Sequence, residues 1–598
     1  MKKAHTFHIP VMGIGFTIDS PLKVAQYGID SVISLVDDIL LEKLRKVYSE
    51  KFEVPYKEIS DKVDDFRAKR ITSYLNLIHE QTEKKFNQLK NITSEKSKAL
   101  KDYIQMLPEY SSMKKDFLKL TEEGVDFSKL KDWANKNLTM GSIDVNIMTK
   151  VDKGNYKNKE LLPIEFNDAH AALRGYSKSK LSSSLVLSAG MNPRLYSYIS
   201  SFDDFFPDEN GTIKKKIILK VSDYRSAMIQ GKFLAKKGLW VSEYRIESGL
   251  NCGGHAFATD GFLLGPVLYE FKENKDVLKS EIYALLIDAL NETNRTVPKH
   301  GLSLKITTQG GIGTEEEHSF LMDHYKLDSV GWGSPFLLVP EATSVDEKTM
   351  EKLAKAKEED LYLSNTSPLG VPFNTLKGNT KDFEKQQFID KGRPGSSCPN
   401  KFIALNNEFK KTGLCTASRE YQFLKLKELN TLEISSNEKA QKHHKIIEKS
   451  CICVGLSTST LILNKMSTKK TGDGVSVCPG PNMAYYDKVM SLRNITDHIY
   501  GRKNVLTRTD RPNVFIKELS LYITHLQEKI ETVKTSIDKK QLRYLLKFKN
   551  NLDEGIRYYK ELFLNQKESF VSCKESLIEA LRIEQQKLVL LGIEIEKL

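Results

Sequence analysis

No apolar run in this 598-residue sequence approaches the length of a membrane span. No leader is expected either. Met1-Lys2-Lys3-Ala4-His5 carries two lysines but runs straight into Ile9-Pro10-Val11-Met12-Gly13, without an apolar core or a cleavage site. Cysteine is scarce, seven residues at uneven spacing, which argues against a disulfide framework. Repeats of fixed period, low-complexity tracts and RNA-recognition motifs are all missing. These absences predict a cytoplasmic protein with no membrane partner.

What is present describes a large globular chain. Hydrophobic residues make up 40% and aromatics 9%, enough for a substantial core. The length exceeds what one core usually serves, so a large domain with attachments is expected. The formal charge of +13 permits an anionic partner, although a lysine-rich solvated surface is the favoured reading.

Eight short apolar runs set the fold. They are Phe7–Met12, Ser31–Val36, Ile143–Thr149, Ser184–Ala189, Lys216–Val221, Leu239–Ile246, Ser303–Thr308 and Ser329–Gly333. Most lead through a polar or glycine turn into a helical pattern. Strand–helix alternation implies a parallel sheet, and eight units imply a closed (β/α)8, or TIM, barrel of the α/β class. The division follows: residues 1–40 hold the first strands, 41–141 a helical insertion expected over the barrel mouth, and 142–378 the rest of the barrel. Residues 379–510 form a lysine-rich module with five of the cysteines, and 511–598 a helical region.

Two glycine clusters close the last two strands. Gly310-Gly311-Ile312-Gly313 precedes an acidic helix start, Thr314-Glu315-Glu316-Glu317, and Gly333-Ser334-Pro335-Phe336 ends the final strand. Bare N–H groups and a helix N-terminus at adjacent turns suit a phosphate, and in such barrels that site follows strands 7 and 8. The sixth strand runs into Asn251-Cys252-Gly253-Gly254-His255, placing a histidine on the catalytic face of the barrel. Neutral imidazole there can act as a base.

These segments together resemble the nitronate monooxygenases (2-nitropropane dioxygenase-like proteins) and the related enoyl reductases of polyketide and polyunsaturated fatty-acid synthesis. The resemblance rests on Pro10-Val11-Met12-Gly13, Asp144-Val145-Asn146, Gly253-Gly254-His255, Gly310-Gly311-Ile312 and Gly333-Ser334-Pro335-Phe336. It implies an FMN oxidoreductase with flavin N5 as redox centre. Met12, Gly13 and Asn146 would line the ring, with Gly253 and Gly254 beside it. Gly310, Gly311, Gly333 and Ser334 would hold the phosphate, and His255 would transfer the proton. Lys220, ending the fifth strand, could face the N1–O2 edge. Asn251 stands where the family has glutamate, Cys252 where it has alanine, and Pro335 where it has arginine.

Cys398, Cys415, Cys451, Cys453 and Cys478 sit beside proline or glycine in tight turns. Four thiolates suffice for a [4Fe-4S] cluster, so Cys451 or Cys453 would be spare. Zinc is the rival reading and simple buried thiols the third. A cluster would give electrons a route to a flavin and implies an electron-transfer partner. The partner otherwise expected is a small-molecule substrate. A flavin-dependent RNA (tRNA) modifying or RNA-binding protein, with nucleic acid as its partner, is one alternative function, and an enoyl reductase is the other.

Overall fold

The computed structural model describes residues 3–91, 98–122, 126–188, 190–251, 260–534 and 537–598. Eight parallel strands close into a barrel: β1 (Phe7–Ile9), β2 (Asp30–Ser34), β3 (Ile143–Ile147), β4 (Ser184–Leu187), β5 (Lys216–Val221), β6 (Val241–Glu247), β7 (Lys305–Gln309) and β8 (Ser329–Gly331). Each strand pairs with its neighbours in sequence, and β1 closes the ring on β8 through Phe7↔Val330 and His8↔Gly331. All eight apolar runs became barrel strands.

Alternation along each strand sorts the side chains. On β6, Tyr244 and Ile246 join the main core between sheet and helices, while Glu243, Arg245 and Glu247 share the opposite face. Inside the barrel Val11, Val32, Val186 and Ile218 form a small apolar cluster. Towards the amino ends of the strands, Glu243 accepts from Arg245 Nη2 at 2.6 Å and Thr307 Oγ1 at 2.6 Å. Asp144 accepts from Ser142 Oγ at 2.6 Å. Buried charges here are paired, as burial requires.

The β2–β3 connection is helical: Asp38–Lys51, Phe66–Lys90, Lys98–Met106, Ser112–Glu122 and Phe127–Asn137. None of the described residues of these helices lines the cavity at the barrel mouth. The helix Phe66–Lys90 packs on Asp38–Lys51 and on Asp168–Ser177 along the barrel wall. Tyr103, Leu107, Leu130 and Leu138 form a separate cluster with Ala4, on the side where β1 begins. Tyr103 Oη donates to Thr139 O at 2.9 Å, fixing that packing.

The mouth is roofed by chain from beyond the barrel. A hairpin, β9 (Leu361–Ser364) with β10 (Phe373–Leu376), leads into this region. The helix Ile452–Leu463 then docks on the barrel loops, with Ile452 to Leu461 all buried. Gly15 N donates to Leu456 O at 3.0 Å, and Thr460 Oγ1 donates to Gly15 O at 2.9 Å. A Cβ on Gly15 would lie 2.5 Å from Thr460 Oγ1, so glycine is needed for this approach. Ser457 Oγ donates to Asp37 Oδ2 at 3.0 Å and Ser459 Oγ to Asp346 Oδ2 at 2.8 Å. The stretch Ser436–Leu463 is, against the sequence expectation, long and apolar enough to cross a membrane by length and composition. Its apolar window is 67% buried, which is the setting of a core helix.

Three helices, Val514–Val533, Lys539–Asn565 and Lys574–Glu596, complete the chain; the first two pack on the long helix Leu264–Glu292 that follows β6, and the third packs on those two. Tyr522 Oη accepts from Gly249 N at 3.2 Å, and Tyr559 Oη from Gly265 N at 3.0 Å.

Candidate active site at the barrel mouth

A cavity of about 230 Å³ opens at the carboxyl ends of the strands. Its floor includes Val11, Gly13, Ser34, Asn146, Lys220 and Glu247, and its roof includes Ile452, Cys453 and Leu456. Gly13 turns the chain away from β1 with φ of +56°, and a Cβ there would approach Phe16 Cδ2 to 2.8 Å.

The polar wall is organised by Glu247. Its Oε1 accepts from Lys220 Nζ at 3.0 Å, Asn251 Nδ2 at 2.7 Å and Gln309 Nε2 at 2.8 Å. The Lys220 and Glu247 side chains are only 6% and 1% exposed, so this is a desolvated ion pair. The arrangement leaves acceptors over. Asn146 Oδ1 and Glu247 Oε2 are buried without a hydrogen-bond partner, whereas the Gln309 side chain faces His8 inside the barrel. Such groups are costly unless something donates to them.

Beside this wall lie the two glycine loops. The register Gly331↔Gln309 sets Gly333 and Ser334 next to Gly310 and Gly311. The N–H groups of Gly311, Ile312, Gly333 and Ser334 donate to no described protein acceptor. The loops are held from above. Ser334 Oγ donates to Pro479 O, and Asn482 Nδ2 donates to Ile312 O at 2.9 Å. Buried Arg511 donates to Gly311 O at 2.8 Å and to Glu317 Oε1 at 2.7 Å. Glu317 also accepts from Gly313 N at 2.9 Å, so a carboxylate already occupies the acidic helix start.

The structure therefore gathers Gly13, Asn146 and Lys220 in the cavity wall. Met12 is buried just outside it, with its N–H on Thr17 Oγ1 at 3.3 Å. Gly310, Gly311, Gly333 and Ser334 lie together on the adjacent rim. Gly253, Gly254 and His255, with Cys252, lie outside the described residues. Lys220 is buried and paired. Glu247, Gln309 and Arg511 were not singled out from the sequence. The first two follow from inward alternation on β6 and β7; Arg511 carries no local signal.

A second cavity, about 900 Å³, is lined by Cys398, Cys415, Cys451 and Cys453. Cys398 interacts directly with Cys451 and Cys453, and these contacts hold its thiol well below the usual value. Burial pushes the Cys415 thiol up. Cys478 lines the cavity at the barrel mouth instead. The spare cysteine is thus Cys478, and both Cys451 and Cys453 belong to the group. Among the described residues, no set of three or more His, Cys, Asp or Glu is arranged to hold a metal ion.

No protein-family model matches this sequence. No curated protein is similar to it at the level searched. Solved structures do align with the chain. The enoyl reductase domain of MlnA from the macrolactin biosynthesis cluster of Bacillus amyloliquefaciens is 16% identical, covering 68% of this chain and 88% of its own, at a TM-score of 0.30. Nitroalkane oxidase from Streptomyces ansochromogenes is 9% identical, covering 64% of this chain and 85% of its own, at a TM-score of 0.27. Scores this low add nothing to what the strand order establishes.

Proposed function

We propose that this protein is an FMN-dependent oxidoreductase of the nitronate monooxygenase-like class, with His255 as its proton-transfer group. The observation that carries the reading is the pair of orphaned acceptors, Asn146 Oδ1 and Glu247 Oε2, beside the Lys220 cation in the cavity wall. An isoalloxazine pyrimidine edge presents an N–H donor flanked by two carbonyl acceptors. That edge fits a wall of unmet acceptors with one ammonium. The unpaired N–H groups of Gly311, Ile312, Gly333 and Ser334 suit the phosphate at the neighbouring rim.

When bound, FMN supplies a two-electron redox centre. The chain's own residues then have separable tasks. Lys220 sets a fixed positive charge at the ring edge, where negative charge develops on reduction. Glu247 holds Lys220, Asn251 and Gln309 in place through one carboxylate oxygen. Asn251 directly precedes the segment that carries His255, so the same carboxylate anchors the root of that segment. Val11, Ile14, Val36 and Met148 line the cavity with apolar surface and exclude water from the ring. His255 exchanges a proton with the reacting carbon of the substrate.

Purified protein should be yellow, and apoprotein should take up about one FMN per chain by the single-site reading. His255→Ala should retain FMN and lose turnover of a nitronate by about 10²- to 10⁴-fold, the usual worth of a positioned acid–base group. A colourless protein that gains no FMN on titration overturns the reading. Unchanged turnover in His255→Ala removes that residue from the mechanism.

A further inference from the structure

We propose that Cys398, Cys415, Cys451 and Cys453 are the four ligands of a [4Fe-4S] cluster seated in the second cavity, apart from the flavin position. The inference stands on the cysteine cavity alone and does not need the flavin reading.

Three features make this a built site. First, two of the thiols sit in turns that solvate a thiolate. Cys398 Sγ accepts from the backbone N–H of Asn400 and Lys401, and Cys415 Sγ from those of Ala417 and Ser418. Both turns thus aim the second and third N–H after the cysteine at its sulfur, the outer-shell hydrogen bonding that tunes metal thiolates. Second, the two turns are knitted to each other. Ser396 N donates to Ala417 O at 2.9 Å and Arg419 N to Ser396 O at 2.9 Å. Asn406 N donates to Leu414 O at 3.1 Å, and Leu414 N to Asn406 O at 2.7 Å. Third, Cys451 and Cys453 bracket the start of the buried helix Ile452–Leu463, whose N-terminal dipole favours negative charge. That helix is fixed to the barrel through Gly15 and Asp37.

The space admits a cluster. A lone zinc draws four sulfurs to about 2.3 Å from one point. Among the described residues no group of three or more such side chains is arranged to hold a metal ion, so the thiols would have to part around either occupant. They line a cavity of about 900 Å³ that has room for a cube of iron and sulfide. Arg393, Lys401, Arg419 and Lys427 also line it, and their charge complements an anionic cluster. Cys453 and Ile403 line both cavities, so the proposed cluster and the proposed flavin are separated by one layer of side chains.

Full-length protein prepared anaerobically with iron supply should be brown. It should contain about four iron atoms and about four acid-labile sulfides per chain, by the cube's composition. Cys415→Ser should lose most of this iron, while Cys478→Ser should keep it. Stoichiometric zinc without iron, or a wild-type chain free of metal, overturns the proposal. So does full iron in Cys415→Ser, or equal loss in Cys478→Ser. Should Cys415→Ser fail to fold, iron and sulfide analysis of the wild type still decides. Flavin extracted from the same sample is counted separately. A chain with cluster and no FMN sinks only the flavin reading, and a chain with FMN and no iron sinks only this one.

Discussion

Lys220 shows how one residue can matter to both stability and binding. It is the cation of a desolvated pair, and breaking such a pair strands a charge. Lys220→Met is expected to destabilise the protein by about 3–5 kcal/mol, read from denaturant unfolding. It should also weaken FMN binding by about tenfold or more, the worth of one charged contact near 1.4 kcal/mol or above. The double variant Lys220→Met/Glu247→Gln separates the two effects. Removing the stranded carboxylate should restore most of the stability, because the pair is weighed against its own desolvation. Flavin affinity should stay low. Recovery of both would mean that Lys220 acts only through folding. The sequence placed Lys220 at a strand end, where a lysine is usually solvated. Its burial follows from Glu247 on the adjacent strand, a partner that no local pattern announces.

At the scale of elements, the barrel was legible and its roof was not. Period-two alternation and glycine turns mark each strand locally, so β1 to β8 could be read in order. The helix Ile452–Leu463 owes its place to Gly15, Asp37 and Asp346, hundreds of residues away. Serine and threonine are weak helix formers, yet each of the four from Ser457 to Thr460 makes a hydrogen bond to backbone or carboxylate. The same blindness misplaced the β2–β3 helices over the mouth, since amphipathic patterning reports a buried face but not which surface buries it. Glu518, on the helix Val514–Val533, is a further long-range contact. It accepts from Ser248 Oγ at 2.6 Å and Leu264 N at 2.7 Å, gripping the chain on either side of the segment that holds His255. Burial lifts its carboxyl from 4.5 to about 7. The folded chain therefore keeps a proton that the unfolded chain has lost between those values. The associated stability is full below about pH 4.5 and is lost as pH rises through about 7. Its size is at most about 3 kcal/mol, at 1.36 kcal/mol per pKa unit. Glu518→Gln carries no titrating proton, so thermal scans between about pH 5 and 8 should show a flatter profile than wild type. An identical slope in both proteins would remove Glu518 as its source.

The molecule as a whole behaves as one core rather than a barrel with appendages. A single buried cluster runs from Phe7 in the first strand to Ile595 in the last helix. Boundaries near residues 378 and 510 are visible as changes of composition, but packing crosses both. Val514 and Leu250 meet over Gly311, where φ is +84° and a Cβ would approach Leu250 Cδ1 to 2.5 Å. The loop read as a phosphate cradle is thus shaped partly by the start of the terminal helices. Phe515, Leu519, Tyr522, Ile523 and Leu526 are all buried on the first of these helices. At about 1.5–3 kcal/mol per buried side chain, five contribute roughly 10 kcal/mol, comparable with the whole net stability of a domain. Truncation after Asn513 should therefore yield aggregated chain instead of a free barrel, and soluble yield and calorimetry check this. The full chain is expected to unfold in one calorimetric transition. A soluble 1–513 fragment that binds FMN as tightly as the full chain would show that the terminal helices are dispensable to both core and site. The contacts of Arg511 with Gly311 and Glu317 would survive that cut, whereas those of Val514, Glu518 and Tyr522 would not. Any loss of flavin affinity in a soluble fragment would then trace to the latter three.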